Sequence, residues 1–175
     1  MSNSQSFSEK DLDIIKYHFK KIYEICGYEF KSGCGSYLFD GKNYEYQIET
    51  YQKFTDRVKQ AKNDFMNFIL KIKSEGKTIV GNSCPGRSVT LLNYYDVGTD
   101  LIPYTAEQPT SLKLDMFLPG KLIPIVNNQI LINEQPDYVV LLAWHYAQPI
   151  MDQLKERGLK SNFIIPLPDM TLLEN

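Results

Sequence analysis

The chain has 175 residues, 43% hydrophobic and 23% charged, which suits one domain with a real core and is too short for two full-sized enzyme domains. Nineteen basic and 21 acidic side chains leave a formal charge of −2, the opposite of the basic excess a nucleic-acid binder carries. No apolar run approaches the ~20 residues of a membrane span, and the polar start is unlike a signal peptide.

Spacing predicts a first helix from about Ser8 to Cys26, with Leu12, Ile15, Phe19, Ile22 and Cys26 on one stripe, His18 on the polar side and Gly27 at its end. Short extended runs follow at Tyr28–Phe30, Ser36–Phe39 and Tyr44–Ile48, with Asp40-Gly41 as a hairpin turn. A long helix is expected from about Thr50 to Glu75. Its stripe is Tyr51, Phe54, Val58, Ala61, Phe65, Phe68 and Ile72, and Gly76 closes it. Cys26, Cys34 and Cys84 have no C-x-x-C spacing and are odd in number. That argues against structural zinc and a disulfide framework and for a reducing cytoplasm.

From Lys77 the texture changes to short β-branched runs broken by Pro and Gly. Thr78–Val80 reads as a buried strand, Gly81 to Gly86 as a turn and Arg87–Tyr95 as a helix. Leu101–Ala106 is a second strand ending at Glu107. Leu122–Val126 is a third, short or at an edge because of Pro124. Tyr138–Trp144 is a fourth, Pro149–Arg157 a helix stopped by Gly158, and Phe163–Leu167 a last strand. The fold expected is α/β: a Rossmann-like, doubly wound parallel sheet of order 3-2-1-4-5. Residues 1–49 form a helix–hairpin appendage, and residues 50–175 the sheet domain led by the long helix.

In such a sheet, ligands bind beyond the carboxyl ends of the strands where strand order reverses. Topology therefore brings the segment Gly81-Asn82-Ser83-Cys84-Pro85-Gly86-Arg87-Ser88 beside Trp144-His145-Tyr146. The first has the parts of a phosphate cradle: glycines for a tight turn, the hydroxyls of Ser83 and Ser88, the Arg87 fork and the free amides of a helix start. A turn whose glycines satisfy only geometry is the alternative. The absence of G-x-G-x-x-G disfavours a standard dinucleotide site and an NAD-dependent oxidoreductase. Glu107 stands where these folds place an acid on ribose hydroxyls, and Lys113 in the following loop has the charge to neutralise phosphate. Both are otherwise ordinary solvated side chains. Trp144 and Tyr146 offer rings for a base or sugar face. His145 is the candidate general base, or else a strand-end residue bonded to backbone. Two histidines and scattered carboxylates do not make a metal site, and a nucleophilic Cys84 has no neighbouring histidine.

These residues also resemble a known family. Lys73-Ser74-Glu75-Gly76-Lys77 with Ile79-Val80-Gly81, Pro85-Gly86-Arg87 with Thr90-Leu91-Leu92-Asn93-Tyr94, Asp100-Leu101-Ile102, and Leu118-Pro119-Gly120 with Ile123-Pro124-Ile125 resemble the C-terminal domain of sugar C-methyltransferases. Gln135-Pro136-Asp137-Tyr138, Leu141-Leu142-Ala143-Trp144-His145 and Phe163-Ile164-Ile165-Pro166-Leu167-Pro168 complete the match in the family's order. Phe7-Ser8 and Gly33-Cys34-Gly35-Ser36-Tyr37-Leu38 fit more loosely.

The resemblance implies a domain that holds the nucleotide of a deoxy-4-keto sugar. In such enzymes an N-terminal zinc module and a central S-adenosylmethionine domain accompany it. A proton beside the ketone is removed and the enolate takes the methyl group. This sequence holds neither of those modules nor the His/Glu/Tyr motif before the Phe-Ser pair, so it is expected not to be self-sufficient. It would bind no cofactor itself, with S-adenosylmethionine present only if a partner supplies its domain. The binding residues so implied are Gly81, Asn82, Ser83, Pro85, Gly86, Arg87, Thr90, Asn93, Glu107, Lys113, Trp144, His145 and Tyr146. The partner is a nucleotide diphosphate sugar, with a methyl-donor-domain protein beside it, and without nucleic acid or membrane. The alternatives are a repurposed enzyme with His145 as base, and a self-associating assembly protein using a tyrosine hairpin around Tyr37, Tyr44 and Tyr46.

Overall fold

The computed structural model describes residues 44–175, with side chains from residue 52 onward. The expected first helix and the runs at 28–39 lie outside the described residues. Contacts divide the chain into two units, Met1–Arg57 and Val58–Asn175, and every strand of the sheet belongs to the second.

Helix α1 spans Tyr44–Ser74. It begins six residues before the expected start, so Tyr44 and Tyr46 are helical and the strand expected over Tyr44–Ile48 does not form. The tyrosine hairpin invoked for assembly loses that arm. Tyr and Ile suit strands, but here they continue the i, i+3, i+4 pattern of the residues after them, and a helix once nucleated adds residues cheaply. Phe65, Ile69 and Ile72 are its fully buried stripe, each burial contributing roughly 1.5–3 kcal/mol. The stripe drifts from the expected one: Ile69 is buried, Phe68 is half-buried, and Phe54 is 57% exposed.

The strands are β1 (Ile79–Asn82), β2 (Thr105–Glu107), β3 (Ile125–Asn127), β4 (Tyr138–Leu141), β5 (Asn162–Ile165) and β6 (Thr171–Leu173). Helices α2 (Gly86–Tyr95), α3 (Gln129–Glu134) and α4 (Ala147–Glu156) connect them. Their order is β3-β2-β1-β4-β5-β6, all neighbours parallel except β5 and β6. This is the expected α/β doubly wound sheet, with an antiparallel strand added at one edge.

Successive residues of each strand feed opposite faces, the period of two that a pleated backbone imposes. Ile79, Tyr138, Val140 and Ile164 join α1 and α2 in one cluster with Phe65, Leu91 and Leu92. Val80, Val139, Leu141 and Phe163 join Leu131 of α3 and Met151 and Leu154 of α4 in the other. Burial on both faces explains why β1 and β4 read as continuous apolar runs.

Several boundaries move. β1 runs on through Gly81 and Asn82, which were expected in the turn, because both pair with β2 and β4. β2 starts only at Thr105, leaving Leu101 and Ile102 buried in a turn. β3 occupies Ile125–Asn127 and lies at the sheet edge, while Leu122 is 67% exposed. Its outer side is covered by the chain's own return: Asp115 N donates to Ile125 O at 3.0 Å and Ile125 N to Met116 O at 2.9 Å. β4 stops at Leu141, and Trp144–Tyr146 form a turn of 3₁₀ helix leading into α4. The apolar run Tyr138–Trp144 has the composition of one strand, but its last three residues bend over the sheet's end. The sequence carries no periodic signal for α3, whose six residues are too few to show one. The αL glycine at Gly158 (φ +91°) ends α4 as expected, with Gly158 N on Lys155 O and Leu159 N on Leu154 O.

Candidate functional site

β1 pairs with β2 on one side and β4 on the other, so the strand order reverses at β1. The residues at its carboxyl end are tightly occupied. Asn82 is buried; its Nδ2 donates to Ala106 O at 3.4 Å and its Oδ1 accepts from Ser83 Oγ at 3.1 Å. Gly81 is packed rather than open: a Cβ there would lie 3.0 Å from Thr105 Oγ1 and 3.2 Å from Leu142 Cδ1. Gly81 and Asn82 are therefore packed into the end of the sheet, against Thr105, Leu142 and the Ala106 carbonyl. Thr105, which the sequence did not single out, is fully buried and donates from Oγ1 to Ser83 O at 2.8 Å.

Ser83 turns the chain with φ +70°, a left-handed conformation that costs a non-glycine residue of order 1 kcal/mol. Its N–H is held by Ala106 O at 2.7 Å. The backbone of the next residue is held at both its N–H and its carbonyl. Glu107 Oε1 accepts the Cys84 N–H at 2.6 Å, and Lys113 Nζ donates to the Cys84 carbonyl. Glu107 Oε2 has a weaker donor in Gln108 N at 3.3 Å. The Cys84 thiol is buried, and burial pushes its pKa up despite the nearby Lys113 ammonium. A raised thiol pKa keeps the nucleophilic thiolate scarce, which disfavours a nucleophilic role.

Pro85 caps α2 without a side-chain bond of its own. Its carbonyl takes Ser88 N at 2.9 Å and Ser88 Oγ at 2.6 Å, so Ser88 is a buried cap support and no ligand donor. Gly86 is different from Gly81: a Cβ added there meets nothing within 4 Å. The first turn of α2 is thus approachable, and its amides and macrodipole favour an anion. Arg87, beside it, is exposed and lies with its guanidinium carbon 5.7 Å from the Trp144 ring centre. Trp144 is half-buried against the core, and the His145 ring stands 5.4 Å from it. His145 and Tyr146 are exposed. The start of α2 and the exit of β4 do meet, through Arg87 and Trp144.

Two expected site residues are elsewhere. Thr90 is exposed one turn further along α2. Asn93 donates from Nδ2 to Val89 O at 2.8 Å and Pro119 O at 3.0 Å, and its Oδ1 fills the space a Cβ at Gly120 would need. Gly120 has φ +87°, so the Leu118-Pro119-Gly120 segment is a turn seated on Asn93. Its role is to hold that turn. Among the described residues there is no cluster of three or more His, Cys, Asp or Glu that would hold a metal ion, and no helix long and apolar enough to cross a membrane.

Residues 42–168 match the family model described as the C-methyltransferase C-terminal domain. The chain belongs to this family. Among curated proteins, the C-methyltransferase NovU of Streptomyces niveus is 33% identical over 122 residues, which cover 68% of this chain. Those residues span 28% of NovU, so this C-methyltransferase C-terminal domain corresponds to under a third of that relative's length. The matched span contains the Ser83–Arg87 loop, Glu107, Lys113 and the Trp144–Tyr146 exit together.

Proposed function

We propose that this domain binds the nucleotide diphosphate of a sugar nucleotide, as the sugar-holding part of a C-methylating system in cytoplasmic deoxysugar or polysaccharide biosynthesis. The observation that carries the reading is the Arg87–Trp144 pair beside the open first turn of α2, at the point where strand order reverses. The diphosphate lies against the Gly86 and Arg87 amides and the Arg87 fork, with Lys113 as a further cation. Pro85, which cannot donate, sets the entry angle of α2. Glu107 spends one carboxylate oxygen on Cys84, and Oε2, held only weakly by Gln108 N, accepts from a ribose hydroxyl. Trp144, His145 and Tyr146 line the base or sugar, and Ser83 shapes the turn beneath. S-adenosylmethionine and the methyl-transfer step belong to a donor domain outside these residues, in the same or a separate chain.

A repurposed enzyme using His145 as base has less support. The ring is exposed, and a general base working at neutral pH gains from a partner that orients it. Calorimetry with UDP, GDP, CDP, thymidine diphosphate and their sugar conjugates tests the binding reading. Heat of binding is expected for at least one of them; none at millimolar ligand with folded protein overturns it.

A further inference from the structure

The connection from β2 to β3 begins with a strap, residues 108–116, that is tied to the β1–α2 loop through the Lys113 side chain. It contains no helix or strand. Ser111 N donates to Gln108 O at 2.9 Å and Met116 N to Lys113 O at 3.1 Å, and Asp115 N on Ile125 O anchors its end to β3. Between those points Leu112 is 92% exposed, the most exposed of the large apolar side chains described. The strap's tip reaches the site by Lys113, whose ammonium donates to the Cys84 carbonyl.

We propose that Lys113 is a transferable latch, and that its transfer closes the strap over the bound nucleotide. The proposal rests on the nucleotide-diphosphate reading above. The ammonium is spent on a neutral carbonyl two residues before the start of α2. A diphosphate at the Gly86 and Arg87 amides offers a charged acceptor a few ångströms further on. Hydrogen bonds charged on both sides are stronger than those charged on one, and a lysine's flexible four-carbon stem permits the exchange. Glu107 makes no such move, because an anion repels it and the Cys84 amide keeps it. The β1–α2 loop therefore stays fixed while the strap travels with Lys113, bringing Leu112 from solvent onto the ligand. Its exposure is the cost that closure relieves.

Hydrogen exchange of residues 108–116 in the full chain tests this. UDP, GDP, CDP and thymidine diphosphate are the probes, and saturation is followed by the fluorescence of Trp144, the one tryptophan of the chain. With a bound diphosphate, strap exchange is expected to slow several-fold. In Lys113→Met the strap is expected to exchange several-fold faster without ligand and to gain little protection with it. Lys113→Arg, which can still reach the carbonyl, should behave close to the unsubstituted protein and guards against a misfolded variant. Binding without any change in strap exchange overturns the latch and leaves the nucleotide reading intact. An unaltered strap in ligand-free Lys113→Met overturns the latch too. No binding by any of the four overturns both.

Discussion

The carboxylate of Glu107, the last residue of β2, accepts the amide hydrogen of Cys84 at 2.6 Å, so one strand end fixes the backbone of the loop leaving its neighbour. Removing that acceptor leaves a part-buried N–H unpaired, which costs about 1–3 kcal/mol. Glu107→Ala should therefore lower the unfolding free energy measured by urea titration by that amount. Glu107→Gln, which keeps an oxygen in place, should lose less than half as much. Equal losses for the two variants would mean the bond contributes nothing specific.

Thr78 and Asp137 are joined three ways between the starts of β1 and β4. Thr78 N and Oγ1 each donate to Asp137 Oδ2 at 2.8 Å, and Asp137 N donates to Thr78 Oγ1 at 2.9 Å. The backbone N–H of Thr78, then its hydroxyl, hold the Asp137 carboxyl below the usual aspartate range. A depressed acid adds stability above its unfolded pKa of about 3.9 and loses it as pH falls through the lower folded value. Asp137→Asn should thus reduce the melting temperature at pH 7, by roughly 2–4 °C once discounted for exposure. The difference from the parent should shrink below about pH 4. A gap that stays constant down to pH 2 would contradict the assignment.

Gly81 and Gly120 are constrained for different reasons, and alanine should expose both. At Gly81 the new methyl presses on Thr105 and Leu142 in the middle of the sheet, an overpacking cost of about 1–3 kcal/mol. At Gly120 the φ of +87° and a Cβ 2.0 Å from Asn93 Oδ1 force the turn off Asn93. Gly86→Ala, with open space, should be near neutral for stability while crowding the approach to α2. Denaturant unfolding of the three variants should rank Gly86→Ala as the least damaged.

Arg87 shares the Trp144 face, so Arg87→Ala should alter Trp144 emission in the protein alone and weaken nucleoside diphosphate binding about tenfold, the effect of one charge-assisted contact. His145→Ala, at an exposed side chain, should keep the fold and most of the binding. Loss of turnover of a keto sugar nucleotide by that variant, were turnover found, would instead favour the enzyme reading.

Much of this was legible in the chain. The apolar pattern of Ile79–Val80 and Tyr138–Leu141 marked buried parallel strands, and the Pro85-Gly86-Arg87 bend marked a helix start, because such signals are local. The order of strands followed from the crossover rules. Tertiary structure decided the rest. Gly81 looks like a turn glycine until Thr105 and Leu142 are seen against it. Asn93 looks like a donor until the Leu118-Pro119-Gly120 turn occupies it. Glu107 and Lys113 look like free surface charges until both prove to hold the backbone of Cys84, one at its N–H and one at its carbonyl. A sequence states which groups a residue carries; which of them are already spent depends on partners distant in the chain that only folding brings into contact.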